Sequence, residues 1–181
     1  LGTGLAFAHK YKADNGVAQV YFGDGAANQG QVYESFNMAA LWSLPVVYII
    51  ENNHYGMGTS IDRASANTQF HKRGEAHGIP GVQVNGMDVI EVRKAAESAM
   101  EYCRGGNGPF ILDMETYRYR GHSMSDPAKY RSREEVSKVR KKNDPIDTLR
   151  DTIIGSKYGD ELSLKEIDRE IKSRVSKAAE I

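Results

Sequence analysis

Two short runs of β-favouring apolar residues, Val17-Ala18-Gln19-Val20-Tyr21-Phe22 and Val46-Val47-Tyr48-Ile49-Ile50, flank one amphipathic segment, and this alternation constrains the chain more than any other feature. Runs of this kind suit strands of a sheet covered on both faces. Between them, Gln29 to Ser43 places Val32, Phe36, Ala39 and Ala40 at helical spacing on one face. Strand, helix and strand of this length predict a right-handed crossover unit with parallel strands. The C-terminal ends of parallel strands share one sheet edge, which is where open α/β sheets bind ligands. The first run ends in Gly23-Asp24-Gly25 and the second in Glu51-Asn52-Asn53, so Asp24 and Asn53 are expected to converge there.

An aspartate carboxylate and an asparagine amide oxygen are ligands for a hard divalent cation. Magnesium takes near-octahedral oxygen ligands at about 2.0–2.1 Å and draws part of its shell from phosphates and water. The carbonyl of a loop residue such as Tyr55 can supply a third protein oxygen without any demand on its side chain. The cation is needed electrostatically, because a carboxylate about 4 Å from a phosphate charge would otherwise repel it by ~4 kcal/mol at an effective dielectric of 20. Gly25 and Ala26 allow backbone N–H groups to approach a diphosphate at the start of the next helix, where the dipole also favours an anion. An Asp-Gly pair alone is usually just a turn; its placement together with the asparagine, after two covered strands, is what points to a metal-diphosphate site.

The remaining chain continues the alternation. Asn52 to Ser60, with two glycines, reads as a binding loop, Gly81 to Gly86 as a short strand and turn, and Phe110 to Met114 as a further strand. A helix starting near Asp88, with Glu91 three residues on, lies between the last two. Arg118 to Ser132 lacks apolar periodicity and is expected to be a mobile loop. Three helices should follow, with starts marked by Ser132 and Glu135, Asp144 and Pro145, and Ser163 and Glu166. The last carries Leu164, Ile167, Ile171, Val175 and Ala178 as one stripe that something must cover. The division expected is an α/β domain over residues 1–131 and a helical extension over 132–181.

Composition removes several function classes. Hydrophobic residues make up 40% of the 181, enough for a core. No apolar run approaches the roughly 20 residues of a membrane span, and a soluble intracellular chain is expected. The formal net charge is zero, which provides no general attraction for nucleic acid or an anionic membrane. The single cysteine, Cys103, falls on the apolar face of Val92, Ala96 and Ala99, so packing is its expected role. His9, His54, His71 and His77 form no zinc pattern, and Ser123 beside His122 sits in no nucleophile elbow. His122, in the polar loop, is a candidate for phosphate contact or proton transfer, and Arg118 and Arg120 for anion contacts. The opening residues Leu1 to Ala8 read as the interior of a glycine-tolerant helix, as expected of a fragment.

Four segments together resemble the alpha subunit of the decarboxylating component of 2-oxo acid dehydrogenase complexes, on the pyruvate branch. They are Gly23 to Gln31, Asn37 to Trp42, Glu51 to Ser60, and Tyr117 to Pro127 with its Gly121-His122-Ser123-Met124-Ser125-Asp126-Pro127 stretch. The resemblance implies a parallel-sheet thiamine diphosphate-binding fold. It implies that Asp24, Asn53 and the Tyr55 carbonyl hold Mg2+, that Gly25 and Ala26 contact the diphosphate, and that His122 is a catalytic group touching the cofactor. It further implies an α2β2 heterotetramer in which the beta subunit completes the site, pyruvate as substrate, and a lipoyl-bearing acyltransferase as acceptor of the two-carbon unit. A bacterial cytoplasm is the implied location, with the mitochondrial matrix as alternative. Serines matching Ser123 and Ser60 are kinase targets in mitochondrial relatives, while a second loop serine has no counterpart in Asp126 to Tyr130. Branched-chain or acetoin-directed relatives, and a noncatalytic assembly module, remain the alternative readings.

Overall fold

The computed structural model describes residues 1–180. Helix α1 (Gly2–Lys12) leads into β1 (Ala18–Gly23), a 3-10 turn over Ala26–Asn28, α2 (Gly30–Leu41) and β2 (Val46–Asn52). A two-stranded hairpin of β3 (Tyr55–Gly56) and β4 (Thr59–Ser60) follows, then the short α3 (Ile61–Ala64) and a 3-10 stretch over Phe70–His77. The order closes with β5 (Gly81–Asn85), α4 (Val89–Arg104), β6 (Phe110–Glu115), α5 (Arg133–Asn143), α6 (Pro145–Gly155) and α7 (Glu161–Ala178).

The main sheet has four strands in the order β1-β2-β6-β5, and every pairing in it is parallel. It is thus built from two crossover units, β1-α2-β2 and β5-α4-β6, joined at β2 and β6. The central strand β2 shows why its sequence lacks polar alternation. Val46, Tyr48 and Ile50 enter one core with Phe36 and Ala39 of α2, while Val47 and Ile49 enter the other with Ala99 and Cys103 of α4. Successive side chains point to opposite faces, and both faces are covered.

The first core is closed by aromatic contact. Phe36 meets Tyr48 edge-on at 4.8 Å between centroids, and the Tyr48 hydroxyl donates to Ser35 O and is 2.9 Å from Thr3 Oγ1, tying α1 and α2 to the sheet. Close packing of α1 on β1 explains the glycine at its start, since a Cβ on Gly2 would stand 2.0 Å from Val20 Cγ2. Burial of the second core pushes the Cys103 thiol up to about 11, and its Sγ faces Val46 O at 3.6 Å. Because the thiolate is the reactive species, Ellman's reagent at pH 8 should find no accessible thiol in the folded protein and one after denaturation. Stoichiometric labelling of native protein would contradict the packing role.

Several expected elements fall where the sequence places them. Ser132 caps α5 through Glu135 N, Asp144 caps α6, and the Asp88 carboxylate accepts from Ile90 N and Glu91 N at the start of α4. Two expectations need correction. The cap of α7 is Asp160, not Ser163: Asp160 accepts from Ser163 N at 2.8 Å and Ser163 Oγ accepts from Asp160 N at 2.9 Å. Serine here serves as the third helical residue of a reciprocal capping box, so the helix begins a turn earlier. The Asn52 to Ser60 segment, expected as a binding loop without regular structure, contains the β3-β4 hairpin. Along the α7 stripe Leu164 is half-buried, while Ile167, Ile171 and Val175 stand exposed.

Candidate functional site

Register places the two signature turns side by side. In the parallel β1-β2 pairing Gly23 faces Glu51, so Asp24 and Asn52-Asn53 leave the same edge of the sheet. The turns then touch: a Cβ on Gly25 would lie 3.2 Å from Gly56 Cα, and one on Gly56 would lie 3.2 Å from Gly25 Cα. Glycine at both positions permits this approach of one backbone to another.

Asp24 is only 2% exposed, an unusual place for a carboxylate without a cation beside it. Its Oδ1 accepts the Gly25 N–H at 2.7 Å, whereas its Oδ2 is buried with no hydrogen-bond partner. An unsatisfied buried carboxylate oxygen is costly, and a bound cation would satisfy it. Asn53 Oδ1 accepts Tyr55 N at 3.3 Å, and Tyr55 O accepts Arg118 Nη2 at 2.7 Å. Each of these oxygens keeps a second lone pair. The donors are hard oxygens with one free carboxylate oxygen, a set that fits Mg2+ better than zinc. Among the described residues no group of three or more His, Cys, Asp and Glu side chains could hold a metal.

Gly25 and Ala26 do not begin α2 directly. Gly25 precedes the 3-10 turn, and α2 starts only at Gly30, so the amides nearest Asp24 belong to the tighter turn. That turn is held from below by Arg73, which donates to Ala27 O at 3.1 Å, Asn28 Oδ1 at 2.7 Å and the Tyr33 hydroxyl at 2.8 Å. Arg73 lies in the 3-10 stretch, where periodicity provides no signal of the role.

The binding loop is pinned through its carbonyls. Asn52 O accepts from Thr116 N, Asn53 O from Arg131 Nη2 at 2.7 Å, His54 O from Ile61 N, and Tyr55 O from Arg118. Arg131 is 6% exposed at its side chain and lies between two aromatic faces, 4.7 Å from the Tyr55 centroid and 4.0 Å from that of Tyr117. Burial, together with the hydrogen bond to Glu135, pushes the Tyr117 hydroxyl up to about 12, so Tyr117 stays a neutral donor to Glu135 Oε1. Arg118 also donates to Met57 O and the Tyr130 hydroxyl. Of the two arginines singled out as anion contacts, Arg118 is thus a clamp on the loop, and Arg120 stands exposed. Arg131, which no local sequence pattern signals, holds the Asn53 carbonyl and packs on Tyr55 and Tyr117.

The Arg118 to Ser132 segment is ordered by Asp126. Its carboxylate accepts His122 N at 2.7 Å, Ala128 N at 2.9 Å and the Tyr130 hydroxyl at 2.8 Å, and these bonds hold it below the usual carboxylate range. Tyr130 stacks on Tyr55 with centroids 4.7 Å apart, which brings the segment against the binding loop. His122 is exposed, and among the described residues its ring makes no hydrogen bond or ion pair to Asp24 or Asn53. Ser123 is exposed, with its Oγ 3.0 Å from Ser125 Oγ, while Ser60 precedes α3 without a side-chain capping bond. On the outer side of this segment Arg118, Arg120, Lys129, Arg131, Arg133 and Arg140 line a cleft of about 540 Å³ that includes neither Asp24 nor Asn53.

The family model described as "Dehydrogenase E1 component" matches residues 1–181. The chain belongs to the dehydrogenase E1 component family. Relatives of this dehydrogenase E1 component chain include the pyruvate dehydrogenase E1 component subunit alpha of Rhizobium meliloti, 60% identical over 180 residues, covering 99% of this chain and 52% of that protein. That of Zymomonas mobilis is 56% identical over 180 residues, covering 99% of this chain and 51% of the relative. The mitochondrial somatic form of Sus scrofa is 52% identical over 181 residues, covering 99% of this chain and 46% of the relative. The chain spans about half the length of the curated relatives it matches.

Proposed function

We propose that this dehydrogenase E1 component chain is the cofactor-holding part of an alpha subunit that decarboxylates pyruvate with thiamine diphosphate and Mg2+. The observation that carries the reading is the buried, unpartnered Asp24 Oδ2 at a turn in contact with the Asn53 loop. Asp24, Asn53 and the Tyr55 carbonyl would hold the metal, and the amides of Gly25 and Ala26 would meet the diphosphate. Thiamine diphosphate, when bound, supplies the electron sink that lets a 2-oxo acid lose carbon dioxide. This chain's own part is to bind and orient: Arg118 and Arg131 fix the loop carbonyls, and Asp126 holds the segment that presents His122.

His122 would be the catalytic group, reaching the cofactor once the partner subunit closes the edge. The partners in this reading are a beta subunit in an α2β2 heterotetramer and a lipoyl-bearing acyltransferase that accepts the acetyl unit. No helix of the described residues is long and apolar enough to cross a membrane, and a place in a bacterial cytoplasm accords with the bacterial relatives. A phosphate of about −2 charge on Ser123 would disturb the Asp126 turn and oppose a neighbouring diphosphate; Ser60 is the second such position.

Turnover by the full alpha-beta assembly tests the reading. Pyruvate should be used well and 3-methyl-2-oxobutanoate poorly. The reverse order would assign the chain to the branched-chain group, and a preference for acetoin to the third. Titration calorimetry with Mg2+ and thiamine diphosphate separates all of these from an assembly module, which would give no metal-linked heat.

A further inference from the structure

Beneath the binding loop lies a polar cluster that none of the roles above uses. Asn52 and Asp113 are both 0% exposed, deep between β2 and β6. Asp113 Oδ1 accepts Asn52 Nδ2 at 3.2 Å and Oδ2 accepts the His71 backbone N–H at 3.3 Å, with His71 Nδ1 3.6 Å away. On its other side, Asn52 Oδ1 accepts the His54 N–H at 3.1 Å. His54 itself has φ of +67°, in the left-handed region that a non-glycine residue enters at a cost.

We propose that Asp113 and Asn52 form a buried relay that sets the orientation of Asn53, making both of them positioning residues for the metal-diphosphate site. The argument is one of donor and acceptor parity. Each Asp113 oxygen faces an N–H, Asn52 Nδ2 at Oδ1 and the His71 backbone at Oδ2, so Asp113 accepts from Asn52 and Asn52 turns its NH2 inward. The amide oxygen of Asn52 must then face outward, where it captures the His54 N–H and helps to hold the left-handed turn. Asn53 lies between these two pinned residues, and its direction follows from theirs. Groups behind a metal's ligands commonly govern affinity in this way, although they never touch the ion.

The inference rests on the proposed function in one respect, that Asn53 is a ligand. It is tested on the full-length protein in its native assembly with N52D, D113N and the double substitution N52D/D113N. The first places two carboxylates across a buried 3.2 Å contact. The second leaves a donor facing a donor, at Asn52 or at the His71 N–H. The double substitution exchanges the roles: the new amide at position 113 donates to the new carboxylate at position 52, which still accepts from His54. Two readouts are used. Amide hydrogen exchange of the 53–57 peptide, without any ligand and with the β2 peptide as internal reference, should rise in each single variant and return to the wild-type value in the double. The Mg2+ concentration needed to support thiamine diphosphate binding should rise about 10- to 100-fold in each single variant and be restored in the double.

Unchanged exchange in both single variants would overturn the relay, as would a double variant no better than its parents. A wild-type assembly with no Mg2+-linked binding would refute the metal reading instead, and the ligand-free exchange measurement would still decide the relay. Should a single variant fail to fold, the double decides alone: wild-type protection of the loop supports the relay, and a second failure to fold overturns it.

Discussion

Replacing Asp24 by alanine is expected to abolish Mg2+-dependent binding of thiamine diphosphate while leaving the fold close to its original stability. The two effects separate because the carboxylate is a liability without its cation. Its Oδ2 is buried and unpartnered, so removal relieves an unsatisfied charge, and the Gly25 N–H loses only one acceptor, at 2.7 Å. An ordinary hydrogen bond contributes about 0.5–1.5 kcal/mol net, which the relief offsets at least in part. Binding has no such compensation, since the metal would lose its single charged protein ligand. Wild-type assembly should therefore melt higher with Mg2+ and the cofactor, by about 2.7 kcal/mol of added stability at a hundredfold excess over Kd, and D24A should show no such increment. Asp24→Asn, which retains the acceptor for Gly25 and loses the charge, should keep the ligand-free melting temperature and still bind poorly. An Asp24→Ala assembly with native cofactor affinity would refute the metal-diphosphate site.

Arg131→Ala should loosen two segments at once, the Asn53 loop and the Arg118 to Ser132 segment. The side chain donates to Asn53 O at 2.7 Å and to Arg118 O at 2.8 Å while its plane rests between Tyr55 and Tyr117. A hydrogen bond from a charged group contributes about 1.5–3 kcal/mol, so two of them set an upper bound of about 3–6 kcal/mol for the local structure. The effect should appear as faster proteolysis and exchange in both segments, with the protection of β2 retained, and as weaker Mg2+-supported cofactor binding. Lysine should not substitute, because an ammonium cannot lie flat between two rings and bridge two carbonyls in one plane. Wild-type protection in Arg131→Lys would show that charge alone suffices and that the stacked geometry is incidental.

The two substitutions also mark how far the placement of these residues was legible. Asp24 could be read because it follows an apolar run whose strand character is local, and because a parallel crossover carries its end to the edge where Asn53 emerges. Arg131 could not. It lies in a segment without periodicity, distant in sequence from the carbonyl it holds, and a lone arginine in a polar loop has the same signature whether it is solvated or buried. The Asp113 and Asn52 relay was hidden for a different reason. Asp113 falls inside Phe110 to Met114, an otherwise apolar strand, and only the pairing of Ile50 with Asp113 in the β2-β6 register brings it under Asn52. Arg73, likewise, reaches the 3-10 turn after Gly25 from a stretch whose pattern is neither helical nor extended.

Caps followed the same division between local and distant information. Ser132, Asp144 and Asp88 each act within three residues of themselves, and each lies where the sequence places it. Ser163 was misplaced because Asp160 stands three residues before it, and the two exchange bonds as cap and third helical residue; either could have been the cap on pattern alone.

The sequence by itself determined the alternation of covered strands and amphipathic helices, and with it the one sheet edge that Asp24 and Asn53 both leave, because apolar periodicity and chain direction act over a few residues. Only the tertiary structure decided which groups hold that edge in shape. Arg131, Arg73, Asp113 and Thr116 reach the turns through hydrogen bonds between segments remote in sequence, and such bonds depend on strand register and burial, which no local pattern encodes.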